Sequence, residues 1–303
     1  MAGKSVAYLA SKQPHTPLEP HMRRTVLPSL AFAALTLTLT ACQPAARRPA
    51  ATVGGAPAPT AVRQSSPLAG ANQLLLVVTE NFSANQARMR RFERAPDGTW
   101  RPVGDDVAVT IGKNGLAWGR GLSGEPPAGG PVKVEGDGRS PAGVFAIPMA
   151  FAYQPENLWT PSKMPMHRVT TETVCVESIN SASYNRILDE KPGTAKDYDS
   201  PDRMLRPDGL YRYGLMVDHN APNTKPGAGS CIFLHLWRRP GAPTVGCTAM
   251  NEPAMLVIQS WIDASKHPVL VQLPRAELAR LAPAWGAPEL VGTVGPVVEN
   301  ADK

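Results

Sequence analysis

The chain has 303 residues, 43% of them hydrophobic, so it can bury a sizeable core, and its 32 prolines argue against long helices and for a strand- and loop-rich fold. The net charge of +6 is mild for this length and comes without a Lys/Arg stripe, which argues against a nucleic-acid partner. A basic surface suits an anionic polymer, and ordinary solubility explains the same charge equally well.

Residues 1–21 fit no part of a targeting signal and read as an upstream extension, translation starting either at Met1 or at Met22. Residues 22–41 open on Arg23 and Arg24, continue as an apolar run from Leu27 and end in small residues. The run is shorter than the roughly 20 residues a spanning helix needs, so it reads as a secretory signal. Its ending, Leu39-Thr40-Ala41-Cys42, resembles a bacterial lipobox. That resemblance implies cleavage before Cys42 and a lipid on its sulfur, the alternative being an ordinary signal with an incidental cysteine. Gln43 is not the Asp that retains lipoproteins at the inner membrane. The implied location is therefore the cell envelope, lipid-anchored on the periplasmic side, with the outer membrane as one destination. Residues 42–72, rich in Ala, Pro, Gly, Ser and Thr, read as a flexible linker.

Residues 73–275 read as one folded domain. Short apolar runs predict strands at 74–79, 88–93, 107–111, 143–147, 215–219, 230–237 and 269–273. Glycines clustered over 112–138 predict turns. Asn251 followed by Glu252 and Pro253 predicts a helix start, with Met255, Ile258, Trp261 and Ile262 on one face. The expected fold is mainly β with one helix after Cys247. Residues 276–303 form an Ala/Pro-rich tail, with a short helix over 277–281.

The stretch that carries chemistry is 229–250, read as a strand, a loop and a Gly-Cys turn. On the strand, Cys231, Phe233, His235 and Trp237 share one face, and the apolar Ile232, Leu234 and Leu236 share the other. His235 therefore points away from the aliphatic layer, and the loop 238–243 returns Cys247 to the end of that strand. A free thiol is only a few per cent ionised at neutral pH, so a nucleophilic cysteine needs a neighbouring base. His235 is placed to take the proton and return it to a leaving amine. Gly246 permits close approach of backbone to substrate, and the amides of Gly246 and Cys247 are candidates for an oxyanion site. On spacing alone, a structural cysteine beside a hydrogen-bonded core histidine explains the pair as well.

The run His235, loop, Thr244-Val245-Gly246-Cys247 resembles the nucleophile motif of the YkuD-type L,D-transpeptidases. The upstream segment Ser140-Pro141-Ala142-Gly143-Val144-Phe145-Ala146-Ile147 is similar to the strand that lines the same site in that family. The resemblance implies a β-sandwich catalytic domain and a role in peptidoglycan synthesis, cell-wall biogenesis and cell shape. It implies Cys247 as nucleophile, His235 as base and the Leu236 carbonyl orienting the imidazole. It also places Thr244, Val245 and Ser140 against the substrate. The acyl donor would be a peptidoglycan stem tetrapeptide, held as a thioester after loss of its terminal D-Ala, and an amine of a neighbouring stem would accept it. Val245 and Ala249 depart from the family's Ser-His-Gly-Cys-x-Arg, which leaves the acceptor open. A carboxypeptidase or amidase on the same scaffold and a non-catalytic wall-binding lipoprotein are the alternatives.

No metal or cofactor is expected: Cys231 and His235, four apart on a strand, would be about 13 Å from each other, too far to share an ion. With Cys42 lipidated and Cys247 reduced, Cys175 and Cys231 remain. In an oxidising compartment two such thiols often pair, two free buried thiols being the alternative. His219 and His167 read as satisfied histidines, lining the site being the alternative, and Glu135, Asp137 and Ser140 most simply shape a turn, with a substrate-facing role as the alternative. Tyr211, Arg212 and Tyr213 are candidates to flank the groove.

Overall fold

A computed structural model describes residues 66–153 and 162–296. The upstream extension, the signal, Cys42 and the linker up to residue 65 lie outside the described residues. No helix among the described residues is long and apolar enough to cross a membrane.

The protein is mainly β. The first three strands, β1 (Gln73–Thr79), β2 (Gln86–Arg94) and β3 (Trp100–Thr110), form an antiparallel meander. Then follow β4 (Leu116–Trp118), β5 (Ser140–Ala146), β6 (Ala150–Tyr153), β7 (Met166–Val169), β8 (Thr173–Cys175), β9 (Ile187–Asp189), β10 (Asp202–Arg203), β11 (Tyr213–Met216), β12 (Phe233–Leu236) and β13 (Thr248–Met250). Helix α1 (Glu252–Trp261), β14 (Val269–Pro274) and helix α2 (Arg275–Leu281) complete the order. Strand β1 is buried at every position because it runs parallel to β14 on one side and antiparallel to β2 on the other, with both faces covered.

Eleven strands join in the order β4-β5-β14-β1-β2-β3-β13-β12-β11-β6-β7. Strands β14 and β13 are four steps apart, about 19 Å along a flat sheet at about 4.8 Å per step. Yet Thr248 Oγ1 in β13 donates to Gln272 Oε1 in β14 at 2.8 Å, and Ser140 Oγ in β5 donates to the Cys247 carbonyl at 2.9 Å. The sheet therefore folds back on itself into two facing layers. The remaining strands, β10-β8-β9, form a separate small sheet.

Strand β12 divides two cores. Ile232, Leu234 and Leu236 enter the main aliphatic core, while Cys231 and Phe233 enter a smaller cluster with Phe151, Tyr211 and Cys247. Helix α1 begins as its sequence dictates: Asn251 Oδ1 accepts from the Ala254 N–H at 2.8 Å, and Met255 and Ile258 are buried. Buried Gln259 donates to the carbonyls of Gly214 (2.9 Å) and Phe151 (3.3 Å), fastening α1 across β11 and β6.

Both expected boundaries of the domain shift. Residues 66–72 are not linker: Leu68 and Ala71 are buried, and Ser66 Oγ donates to the Trp285 carbonyl at 2.8 Å. The C-terminal segment is not a loose tail either. Leu278, Ala282, Leu290 and Val294 join the main core, and Asp106 accepts from the Gly295 N–H at 2.8 Å. The short helix expected over 277–281 is there as α2, and composition alone did not show that a few apolar side chains spaced along short turns and one short helix suffice to dock both segments.

Candidate active site

Strands β12 and β13 are parallel, pairing Leu234 with Thr248, His235 with Ala249 and Leu236 with Met250. The connection between them turns sharply at 244–247, and hydroxyl groups brace that turn. Thr244 Oγ1 donates to the Cys247 carbonyl at 2.6 Å and accepts from the Gly246 N–H at 3.1 Å. Ser140 Oγ donates to the same carbonyl at 2.9 Å and accepts from the Gly112 N–H at 2.9 Å. Ser140 is fully buried and holds the backbone of the turn, which is the turn-shaping alternative and not the substrate contact. Thr244 lines the cavity, but its hydroxyl is engaged within the turn. The same bonds correct the expected oxyanion site. The Gly246 N–H is taken by Thr244, while the Cys247 N–H has no hydrogen-bond partner among the described residues.

The neighbouring motif has a physical basis of its own. Gly143 takes φ +142°, a conformation that L side chains rarely adopt, which accounts for glycine there. Phe145 packs edge-on against His219, with ring centroids 5.8 Å apart.

Cys247 is 6% exposed. Its Sγ donates to the Cys231 carbonyl at 3.6 Å and accepts from the Phe233 N–H at 3.4 Å. Burial pushes the thiol up to about 12, against the smaller opposing effect of the Phe233 amide. His235 is 7% exposed, with Nδ1 2.7 Å from the Leu236 carbonyl. A carbonyl only accepts, so Nδ1 carries the proton and Nε2 is left with its lone pair. Nε2 has no partner among the described residues, and the Tyr211 ring stands edge-on to the imidazole at 5.1 Å. Burial lowers the His235 pKa to about 4, the Leu236 bond opposing it. No hydrogen bond joins His235 to the Cys247 sulfur. At neutral pH the resting pair is therefore a neutral thiol and a neutral imidazole, not an ion pair.

Two cavities meet at Cys247. One, of about 440 Å³, is lined by His235, Tyr211, Trp237, Arg239 and Ala249. The other, of about 340 Å³, is lined by Lys133, Glu135, Glu177, Asp202 and Gly246. Arg206, Tyr211 and Val245 border both, and Val245 is 77% exposed on the shared rim. Burial, and then the charges of Asp202 and Glu135, pushes Glu177 up to about 7. Burial likewise raises Asp202, which accepts from Tyr211 OH at 2.8 Å. Arg206 pairs with Asp208 at 2.9 Å, and that contact pulls Asp208 down to about 2.

Cys175 and Cys231 are joined by a disulfide that ties the small sheet to the segment before β12. Of the other sequence candidates, Glu135 faces the second cavity and accepts from Tyr184 OH and from Ser230 Oγ (2.7 Å). Asp137 pairs with Lys133 at 2.6 Å. His219 is a core histidine between the Ala228 carbonyl (2.9 Å) and the Arg120 N–H (3.3 Å). His167 lies 3.3 Å from Asp189, outside both cavities. Arg212 pairs with Glu252, and Tyr213 packs on the main core, so of that trio only Tyr211 borders the site. Sequence reasoning did not single out Asn185, Glu177, Asp202 or Arg206. They sit on or beside strands of two or three residues, too short to leave a periodic signal.

No family model matches this chain, and comparison with curated proteins and with solved structures returns no similar protein.

Proposed function

We propose that the chain is a cysteine-dependent L,D-transpeptidase acting on peptidoglycan stem peptides. One observation carries the reading: the buried thiol of Cys247 and the buried imidazole of His235, its Nδ1 fixed by the Leu236 carbonyl, line one cavity of about 440 Å³. The sulfur attacks the carbonyl preceding the terminal D-Ala. As the C–S bond forms, the thiol proton passes to His235 Nε2, and from there to the departing amine as the C–N bond breaks. The unpaired Cys247 N–H is the donor available to the developing oxyanion. An amine of a second stem then attacks the thioester, gives up a proton through the same imidazole and restores the thiol. Two separate approaches to one sulfur favour a two-substrate transfer over hydrolysis, which needs only water beside the first substrate. Anchoring through Cys42 would hold the domain near the membrane on the periplasmic side.

The test is incubation of the purified protein with defined tetrapeptide muropeptides. Cross-linked dimers support transfer, shortened stems would move the reading to a carboxypeptidase, and binding without turnover would refute catalysis. The Cys247→Ala variant should bind stems and turn over none. Turnover in that variant would remove Cys247 from the mechanism.

A further inference from the structure

Cys231 adopts φ +54°, a left-handed backbone conformation that a residue other than glycine keeps only where its surroundings fix it. Two grips fix it. Its sulfur is bonded to Cys175 at the end of β8, and its N–H donates to Asn185 Oδ1 at 2.9 Å. Asn185 is itself buried, and its Nδ2 donates to the carbonyls of His219 (2.9 Å) and Asn220 (3.2 Å). Both grips come from the small sheet and the turn leading into β9. Both act on the one residue whose carbonyl accepts from the Cys247 sulfur.

We propose that Asn185 and the Cys175–Cys231 disulfide form a positioning clamp that parks the Cys247 thiol, protonated, on the Cys231 carbonyl. The physical argument lies in what each bond requires. The bond from sulfur to the Cys231 carbonyl exists only while sulfur holds its proton, so it favours the thiol. The bond from the Phe233 N–H to sulfur favours the thiolate and comes from β12, outside the clamp. Opening the clamp weakens the first and leaves the second. The charged and titratable groups around the sulfur are Asp202 on β10 and Glu177 just past β8, Arg206 after β10, Lys133 and Glu135 before β5, Tyr211 before β11 and His235 on β12. All of them remain when Asn185 alone is altered. Two-electron reduction by a dithiol also opens the clamp, giving the thiols of Cys175 and Cys231 and the reagent's own disulfide. The inference rests on Cys247 as the reacting thiol, not on the acyl group it carries.

The test is the pH profile of iodoacetamide alkylation at Cys247, read by peptide mass mapping of the full chain without substrate. Three samples are compared: the oxidised protein, the protein reduced with dithiothreitol and desalted under argon, and Asn185→Gly. Glycine tolerates the left-handed backbone of residue 185, φ +65°, and removes the side-chain grip on Cys231 together with the bonds to the His219 and Asn220 carbonyls, while the disulfide stays. Alkylation at pH 8 should rise at least threefold in both the reduced and the glycine samples, with the profile moved to lower pH. An unchanged or slower alkylation in both, even with a lowered melting temperature, would make the clamp merely structural and overturn the proposal. If Asn185→Gly fails to fold, the reduced protein decides by the same threshold. Alkylation reads the thiol alone, so a negative muropeptide assay and a negative clamp result are separate outcomes.

Discussion

The neutral resting pair makes a sharp prediction about pH. Burial holds the imidazole at about 4 and the thiol at about 12. Moving the proton from sulfur to Nε2 at rest is then uphill by roughly 11 kcal/mol, at about 1.4 kcal/mol per tenfold, before the attraction between the two charges formed offsets part of it. The ion pair is not a standing population, and the proton must move as the C–S bond forms. The active form of the free enzyme, neutral on both groups, persists from about pH 4 to about pH 12. A histidine at its ordinary value of about 6.5 would be only about a tenth neutral at pH 5.5, so the rate would fall about tenfold between pH 7.5 and 5.5. With the buried value almost none is lost. The assay is kcat/KM for a tetrapeptide stem from pH 4 to 9, which reports the free enzyme's groups. The expected profile is flat above pH 5.5 with an acid limb near 4. His235→Gln should lose that limb and about 10²–10⁴ of the rate. An acid limb near 6.5 that persists in Glu177→Gln, which removes the neighbouring carboxyl held at about 7, or a basic limb below 9, would refute the neutral-pair argument.

Two further outcomes test the scaffold. Ser140→Ala removes a hydroxyl that joins Gly112 to the Cys247 carbonyl, leaving a buried N–H unpaired. It should cost about 1–3 kcal/mol in urea unfolding and lower kcat more than it raises KM, and an unchanged kcat would show that the turn does not need this brace. His219 is buried and held near 4, below its unfolded value, so the unfolded chain binds the extra proton as pH falls. Its contribution is fully present above about 6.5 and is lost as pH falls toward 4. The gap in unfolding free energy between the protein and His219→Gln should therefore shrink by roughly 2 kcal/mol from pH 7 to pH 5. The paired comparison is needed because Glu177, held at about 7, shifts total stability the other way over the same range. A gap independent of pH would refute the buried neutral histidine.

What was legible in the sequence follows from how many residues carried each signal. Strand β1 and helix α1 announce themselves, one by an unbroken apolar run and the other by a cap, a proline and one apolar face. The alternation along β12 correctly separated the face of Leu234 and Leu236 from that of Phe233 and His235, because a strand permits no other arrangement. The same alternation extended the strand too far, to residue 230. Cys231 looks like one more β residue, but its φ of +54° breaks the strand at a point set by contacts from Cys175 and Asn185, 56 and 46 residues earlier in the chain. No local pattern encodes such a constraint. The role of Thr244, and the long-range partner of Ser140, escaped for a different reason. A hydroxyl beside a nucleophile reads as a substrate contact; the turn itself bends the Thr244 hydroxyl onto the Cys247 carbonyl three residues on, and the fold-back of the sheet, which brings β5 against that turn, adds Ser140. The chemistry-bearing pair was thus readable from one short stretch. Much of what controls the pair, the clamp on Cys231 and the Ser140 brace on the Cys247 carbonyl, is written in residues distant from it, whose meaning appears only once the chain has folded.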